Sequence, residues 1–267
     1  MSNFTDFISG GGGASFPTIF LHKSQTWVPP QDGKIMIHVI GAGGSGCATN
    51  LTTLESGAAG GYCRKNSLAV TTSGSFTVTI GAGGASVVGA AGSGAAGGTT
   101  SVAGTGLGST LTATGGAGGA VGSATYTTGG VGSNGDFNSN GGRGGYNKGG
   151  GAVGLLGTGI DGGNAGNNTS SFGGRCDILG DFYSSSFGQL SGSSGGKGVY
   201  LYYRGHANDE EVGPLAGGGG MAIQNNIGSV AGHASIGGGG GWCYAGGVTV
   251  MMSGRGGQGC VVIQYIP

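Results

Sequence analysis

Charge is the scarcest commodity in this chain. Its 267 residues include only 10 Lys and Arg against 10 Asp and Glu, for a net charge of zero. Residues 66–135 contain no Asp, Glu, Lys, Arg or His at all. The few cations never form a run, so the electrostatic footprint that nucleic acid or an anionic membrane surface requires is missing. Proline is also sparse, at five residues, and glycine does not recur strictly at every third position, which excludes a collagen triple helix. No stretch of 18 apolar residues occurs, so no membrane-spanning helix is expected. The chain does not open with a charged segment followed by an apolar one, so no signal peptide is read. The five cysteines, Cys47, Cys63, Cys176, Cys243 and Cys260, are odd in number and show no CxxC spacing. That pattern suits neither a zinc site nor a thioredoxin-like motif, and folding in a reducing cytoplasm is expected.

Glycine supplies what the other residues do not, at 73 positions. Such a fraction often marks disorder, but disorder usually brings high net charge and few strand-forming islands. Here the islands are distinct. In "KIMIHVI" (34–40), Ile35, Ile37 and Val39 share one face and Met36, His38 and Ile40 the other, which predicts a strand covered on both sides. "SFTVTI" (75–80) alternates, with Phe76, Val78 and Ile80 inward and Thr77 and Thr79 outward. "FPTIFLHKSQTWV" (16–28), "VTVMM" (248–252) and "CVVIQYI" (260–266) supply further strands at the two ends.

"IMIHVIGAGGSGC" (35–47) has the strand-then-GxGxxG spacing of a dinucleotide-binding turn. That turn needs a helix after it and an acidic residue about 20 positions on. Gly57, Gly60 and Gly61 weaken any helix in 47–63, and no carboxylate lies between Glu55 and Asp136. The phrase also recurs, in "SFTVTIGAGGAS", "LTATGGAGGA" and "HASIGGGGGW". A strand running out into glycine is therefore a rule of construction, and neither a cofactor nor catalysis is expected. Ordering so much glycine without side chains leaves backbone pairing as the source of stability. Laterally bonded polyglycine II segments, at three residues per turn, are expected for about 83–170 and 216–247, with ordinary ordered loops as the alternative.

The interval 171–215 is different, being rich in rings and charge. Phe182, Tyr183, Phe187, Tyr200 and Tyr202 are candidate receptor-binding residues, because aromatic rings with a polar handle give large contact area at low entropic cost. Trp242 and Tyr244, beside five consecutive glycines, form a second candidate group. "DFNSNGG" matches the first half of a calcium loop through Asp136, Asn138 and Asn140, but position twelve is Asn147 where a bidentate Glu belongs, so an Asx turn is the better reading. Gly192-Ser-Ser194-Gly-Gly196 fits GxSxG only formally, because turn and strand residues follow it and not a helix.

The succession "SQTWVPPQDGKIMIHVIGAGGSG", "GSFTVTIGAGGAS", "GGTTSVAG…LTATGGAGGA" and "GRGGQGCVVIQYIP" resembles a glycine-rich domain common in bacteriophage tail and virion proteins. A similar domain in some receptor kinases lies behind a signal peptide. The adhesins that cap tail fibres of T-even-like phages share the polyglycine motifs but not this N-terminal pattern. The resemblance implies an all-β, jelly-roll-like β-sandwich with long glycine-rich inserts. It places that domain on a virion, made in the host cytoplasm, at a tail fibre or tail tip. Expected partners are a host surface receptor (polysaccharide or outer-membrane protein) and other virion proteins. A homotrimer and a monomeric cap are both open. Capsid decoration is an alternative, and an ice-binding protein or a dinucleotide enzyme stands further off. The expected organisation is an N-terminal attachment segment, 1–15, followed by one glycine-rich domain, 16–267.

Overall fold

The computed structural model describes residues 17–49, 55–89, 91–122, 126–145, 150, 161, 223–224, 229–230, 236–241, 243–244 and 251–267. None of them is helical. The strands in chain order are β1 (Thr18–Leu21), β2 (Gln25–Trp27), β3 (Gly33–Ile40), β4 (Ala48–Thr49), β5 (Tyr62–Val70), β6 (Phe76–Thr79), β7 (Thr100–Gly104) and β8 (Leu111–Ala113). There follow β9 (Gly132–Ser133), β10 (Phe137–Ser139), β11 (Ile223–Gln224), β12 (Ser229–Val230), β13 (Cys243–Tyr244), β14 (Met251–Met252) and β15 (Cys260–Ile266). The protein is all-β. One antiparallel sheet has the order β1-β15-β3-β5-β10 and a second the order β2-β6-β7-β8-β9. The C-terminal strand inserts between β1 and β3, pairing Val261 with Val39 and Ile263 with Ile37. A bulge opposite Met36 lets β5 pair Leu68 with Ile35 and Lys65 with Ile37.

The sheets face one another across a single apolar cluster. Ile35, Ile37, Val39, Val261 and Ile263 come from the first, and Trp27, Phe76, Val78, Val102 and Leu111 from the second. The alternation read in 75–80 holds: Phe76 and Val78 are buried, Thr77 and Thr79 exposed, and Ile80 packs partly against the cluster. The second face of β3 is also covered. His38 and Ile40 are buried there, and Ile40 packs with Tyr62, Cys260 and Val262.

Beyond this sandwich the strands continue as glycine segments, all from one end. β3 runs out into 41–48 and β5 is entered from 55–61. β6 and β7 are joined to 81–88 and 92–98, β8 and β9 to 114–121 and 127–131, and β15 is entered from 253–259. The amides of 41–48 take three directions in rotation. Gly41, Gly44 and Cys47 donate to Gly61, Ala58 and Glu55 (2.8, 2.9 and 3.2 Å). Ala42, Ser45 and Ala48 donate to Gly98, Ala95 and Gly92, while Gly43 and Gly46 donate to Gly257 and Gly254. The carbonyls of the same segment accept from 81–88, 114–121 and 237–243, through Gly84, Gly116, Gly119, Gly240 and Cys243. This segment is therefore bonded to six neighbours, with a repeat of three residues. Segment 55–61 follows the same rule: Ser56 and Ala59 donate to Gly145 and Gly142, Gly57 and Gly60 to Gly240 and Gly237, Ala58 and Gly61 to Ala117 and Thr114.

The reason these positions are glycine is steric. A Cβ on Gly43 would strike the carbonyl of Gly238, on Gly44 that of Ala117, on Gly57 that of Gly44 and on Gly256 that of Gly43. In the sandwich, side chains hold two sheets about 10 Å apart. In the glycine block, Ala42 and Ser45 from the first layer bond directly to Gly98 and Ala95 from the second, at 3.2 and 2.9 Å. The buried main-chain groups that a loop would leave open are thereby paired. Strands β7 to β10 interrupt the tract expected over 83–170, whereas 41–48, 55–61 and 253–259 join the block from outside the expected limits.

Candidate binding surface

Two surfaces stand out on the glycine block. The first is its end remote from the sandwich. Gly89 and Gly122, with φ of 77° and 78°, lie at this end. The parallel strands β11, β13 and β4 lie at this end, Cys243 and Tyr244 pairing with Ala48 and Thr49. Just inside, Glu55 is buried; its Oε2 accepts the Ala120 N–H at 3.4 Å and its own N–H donates to Cys47 Sγ at 3.3 Å. Burial pushes the Cys47 thiol up to about 11, against the pull of the Glu55 N–H. Cys63 is likewise raised to about 11 and Cys260 to about 12 by burial. Among the described residues, Cys47, Cys63, Cys243 and Cys260 are buried thiols outside any disulfide, which makes them poor nucleophiles. Thr127 Oγ1 accepts the Gly144 N–H at 3.0 Å and donates to the Ser56 carbonyl at 3.1 Å. Beside it, Arg143 forms a fork with Asp161 Oδ2 (2.8 and 2.6 Å) and lies 4.5 Å above the Tyr126 ring. The Asp161 carboxylate raises the Arg143 pKa further above its usual value.

The second surface is the outer face of the layer that contains β6 to β9. On the sandwich, Thr79, Ser101, Thr112 and Ser133 stand in cross-strand register, and Thr26, Thr77 and Ala103 form a second row. On the glycine block, every third residue points outward. Ala82, Ala85 and Val88 are exposed; so are Ser93, Ala96 and Thr99, and Thr128 and Val131, with Thr114, Ala117 and Ala120 exposed or half-buried between them. The segments carrying these rows are bonded side by side, Gly98 to Ala82, Gly94 to Gly119, and Ala117 to Thr128. The result is a face of hydroxyl and methyl groups drawn, apart from Thr26, from the charge-free interval 66–135.

Residues 18–266 match the profile of a family described as a glycine-rich domain. The chain belongs to that family. Among curated proteins, no match is found.

Several expected site residues of this glycine-rich domain fall outside the described residues: Phe182, Tyr183, Phe187, Tyr200, Tyr202 and Trp242, as do Cys176 and the GxSxG stretch 192–196. Tyr244 is placed by its backbone, in β13 at the remote end of the block. The calcium-like loop crosses from β9 in one sheet to β10 in the other, with Asn134 at a φ of 65°. Asp136 Oδ1 takes Lys65 Nζ and its Oδ2 takes the Asn66 N–H, both at 2.8 Å; the Lys65 bond leads in lowering its pKa. The Asn138 side chain reaches back to Gly135, its Oδ1 accepting the Gly135 N–H at 3.0 Å and its Nδ2 donating to the Gly135 carbonyl at 2.9 Å, and Asn140 bridges to Val131. The GxGxxG of 41–46 has every N–H engaged by a neighbouring segment, which leaves a phosphate no main-chain donor there. The Arg143–Asp161–Tyr126 cluster and the outward rows were not foreseen. Their signal is the x-G-G spacing, as in Asn140-Gly-Gly-Arg143 and Thr114-Gly-Gly-Ala117.

Proposed function

We propose that this glycine-rich domain is a non-enzymatic virion component of a bacteriophage, located at the tail fibre or tail tip and binding the host cell surface. One observation carries the reading: a block held by its own amides, with one end remote from the sandwich that includes β13 and Tyr244. A body ordered by main-chain bonds asks little of the sequence at its end, which suits presentation of variable contacts. The three-residue amide repeat supports describing the segments as polyglycine II helices, and the two face-to-face sheets are compatible with a jelly-roll-like sandwich. The receptor is a polysaccharide or an outer-membrane protein, the chain is made in the host cytoplasm, and its other partners are virion proteins. Repetition on the particle would raise avidity.

The test is adsorption. Alanine replacement of Phe182, Tyr183, Phe187, Tyr200, Tyr202, Trp242 and Tyr244 should lower host adsorption by roughly tenfold or more while particles still assemble. Normal adsorption by all seven variants rules out these rings as the contact. Labelled electron microscopy separates the tail from the head, where a capsid decoration protein would sit. A second reading, an ice-facing surface, is favoured by the flat small-residue rows spaced every third position. Thermal hysteresis in the purified protein is its test.

A further inference from the structure

We infer that the charge-free layer is a self-association face, on which a second copy of this chain packs. The inference is independent of the host-attachment reading. Globular domains ordinarily contain about 25% charged residues, whereas the cores of protein interfaces are depleted of charge. Every charged residue of this chain lies outside 66–135, and that interval builds most of one outer face, β6 to β9 and the segments 81–88, 92–98, 114–121 and 127–131, with the short strand β2 at its edge.

The dimensions suit a partner of equal size. Four or five chains at about 4.8 Å spacing, each running about 12 residues at roughly 3.2 Å rise, present roughly 700–900 Å². A standard interface takes about 800 Å² from each partner. Val88 and Val131, 64% and 48% exposed, add apolar area at its margins. The hydroxyl row Thr79–Ser101–Thr112–Ser133 can both donate and accept. Identical faces can therefore satisfy one another about a two-fold axis, where residue i meets j and j meets i. Among the described residues of this face, a charged partner would find no counter-charge, and no ring or long side chain projects to enter a pocket. A second flat face of the same composition is the matching surface.

Sedimentation velocity on the full chain over roughly micromolar concentrations tests this. The wild type should form a concentration-dependent dimer. Thr77→Lys on the sandwich half and Ala96→Lys on the glycine half both point into solvent in the monomer, so each should fold, as circular dichroism and thermal unfolding would verify. Each should weaken dimerisation by roughly tenfold or more, because each would bury a lysine charge against a face that offers it no counter-charge. Ala69→Lys, on an exposed position of β5 in the other sheet, should leave it unchanged. A wild type that stays monomeric overturns the inference, and so does association that survives both face lysines. A monomer showing thermal hysteresis that Ala96→Lys abolishes assigns the face to ice instead.

Discussion

His38 lies opposite Arg64 in the pairing of β3 with β5, yet it is almost fully buried. Its Nε2–H donates to Gln264 Oε1 at 3.1 Å, and its Nδ1 accepts the Tyr62 hydroxyl at 2.8 Å, an arrangement for the neutral ring. Burial lowers its pKa from 6.5 to about 4; the Gln264 bond works against this and the Arg64 charge adds to it. In the unfolded chain the ring protonates near 6.5, so folding stability falls as pH drops from about 6.5 towards 4, and this loss levels off below 4. The full loss is on the order of 3 kcal/mol. Urea midpoints of wild type and His38→Gln, compared at pH 7 and pH 4.5, measure it: the wild type should lose more stability than the variant between the two. Equal losses would mean that the buried ring accepts its proton freely. The sequence placed His38 on a covered face of β3 through the two-sided apolar pattern, but its partners Tyr62 and Gln264 lie 24 and 226 positions away and left no local mark.

At the scale of the element, strands with alternating or doubly apolar faces were legible: β3, β6 and β15 are where periodicity put them. β5 was hidden, because Arg64, Lys65, Asn66 and Ser67 interrupt its pattern around the bulge. The glycine segments were legible as extended and laterally bonded, but not in their extent. Segments 41–48 and 55–61 look locally like a nucleotide turn and a weak helix. What orders them are bonds to 92–98, 114–121, 142–145 and 254–257, and no window of sequence contains those partners. A three-residue rotation of bonds also predicts an unusual phase sensitivity. One glycine inserted after Gly43 turns each following amide towards the wrong neighbour by about a third of a turn, whereas an inserted Gly-Ala-Gly restores every direction. The single insertion should lower the thermal midpoint by more than the triple one. Equal effects would show that local slack absorbs the shift.

In the whole molecule, composition was a sound guide to fold class and a poor one to assembly. The clean split between charged residues and the interval 66–135 was visible at once. That it becomes a single face emerges only when β6 to β9 and their extensions are seen side by side. The aromatic interval 171–215 lies outside the described residues, so the rings chosen there rest on residue chemistry. The glycine block has a last, thermal consequence. Exposing apolar surface on unfolding raises heat capacity, while exposing amides lowers it. A body half filled with amides should therefore unfold with a heat-capacity increment below the usual ~12–15 cal/mol/K per residue. Calorimetry would read this as a shallow curve, with stability that changes slowly from cold to warm.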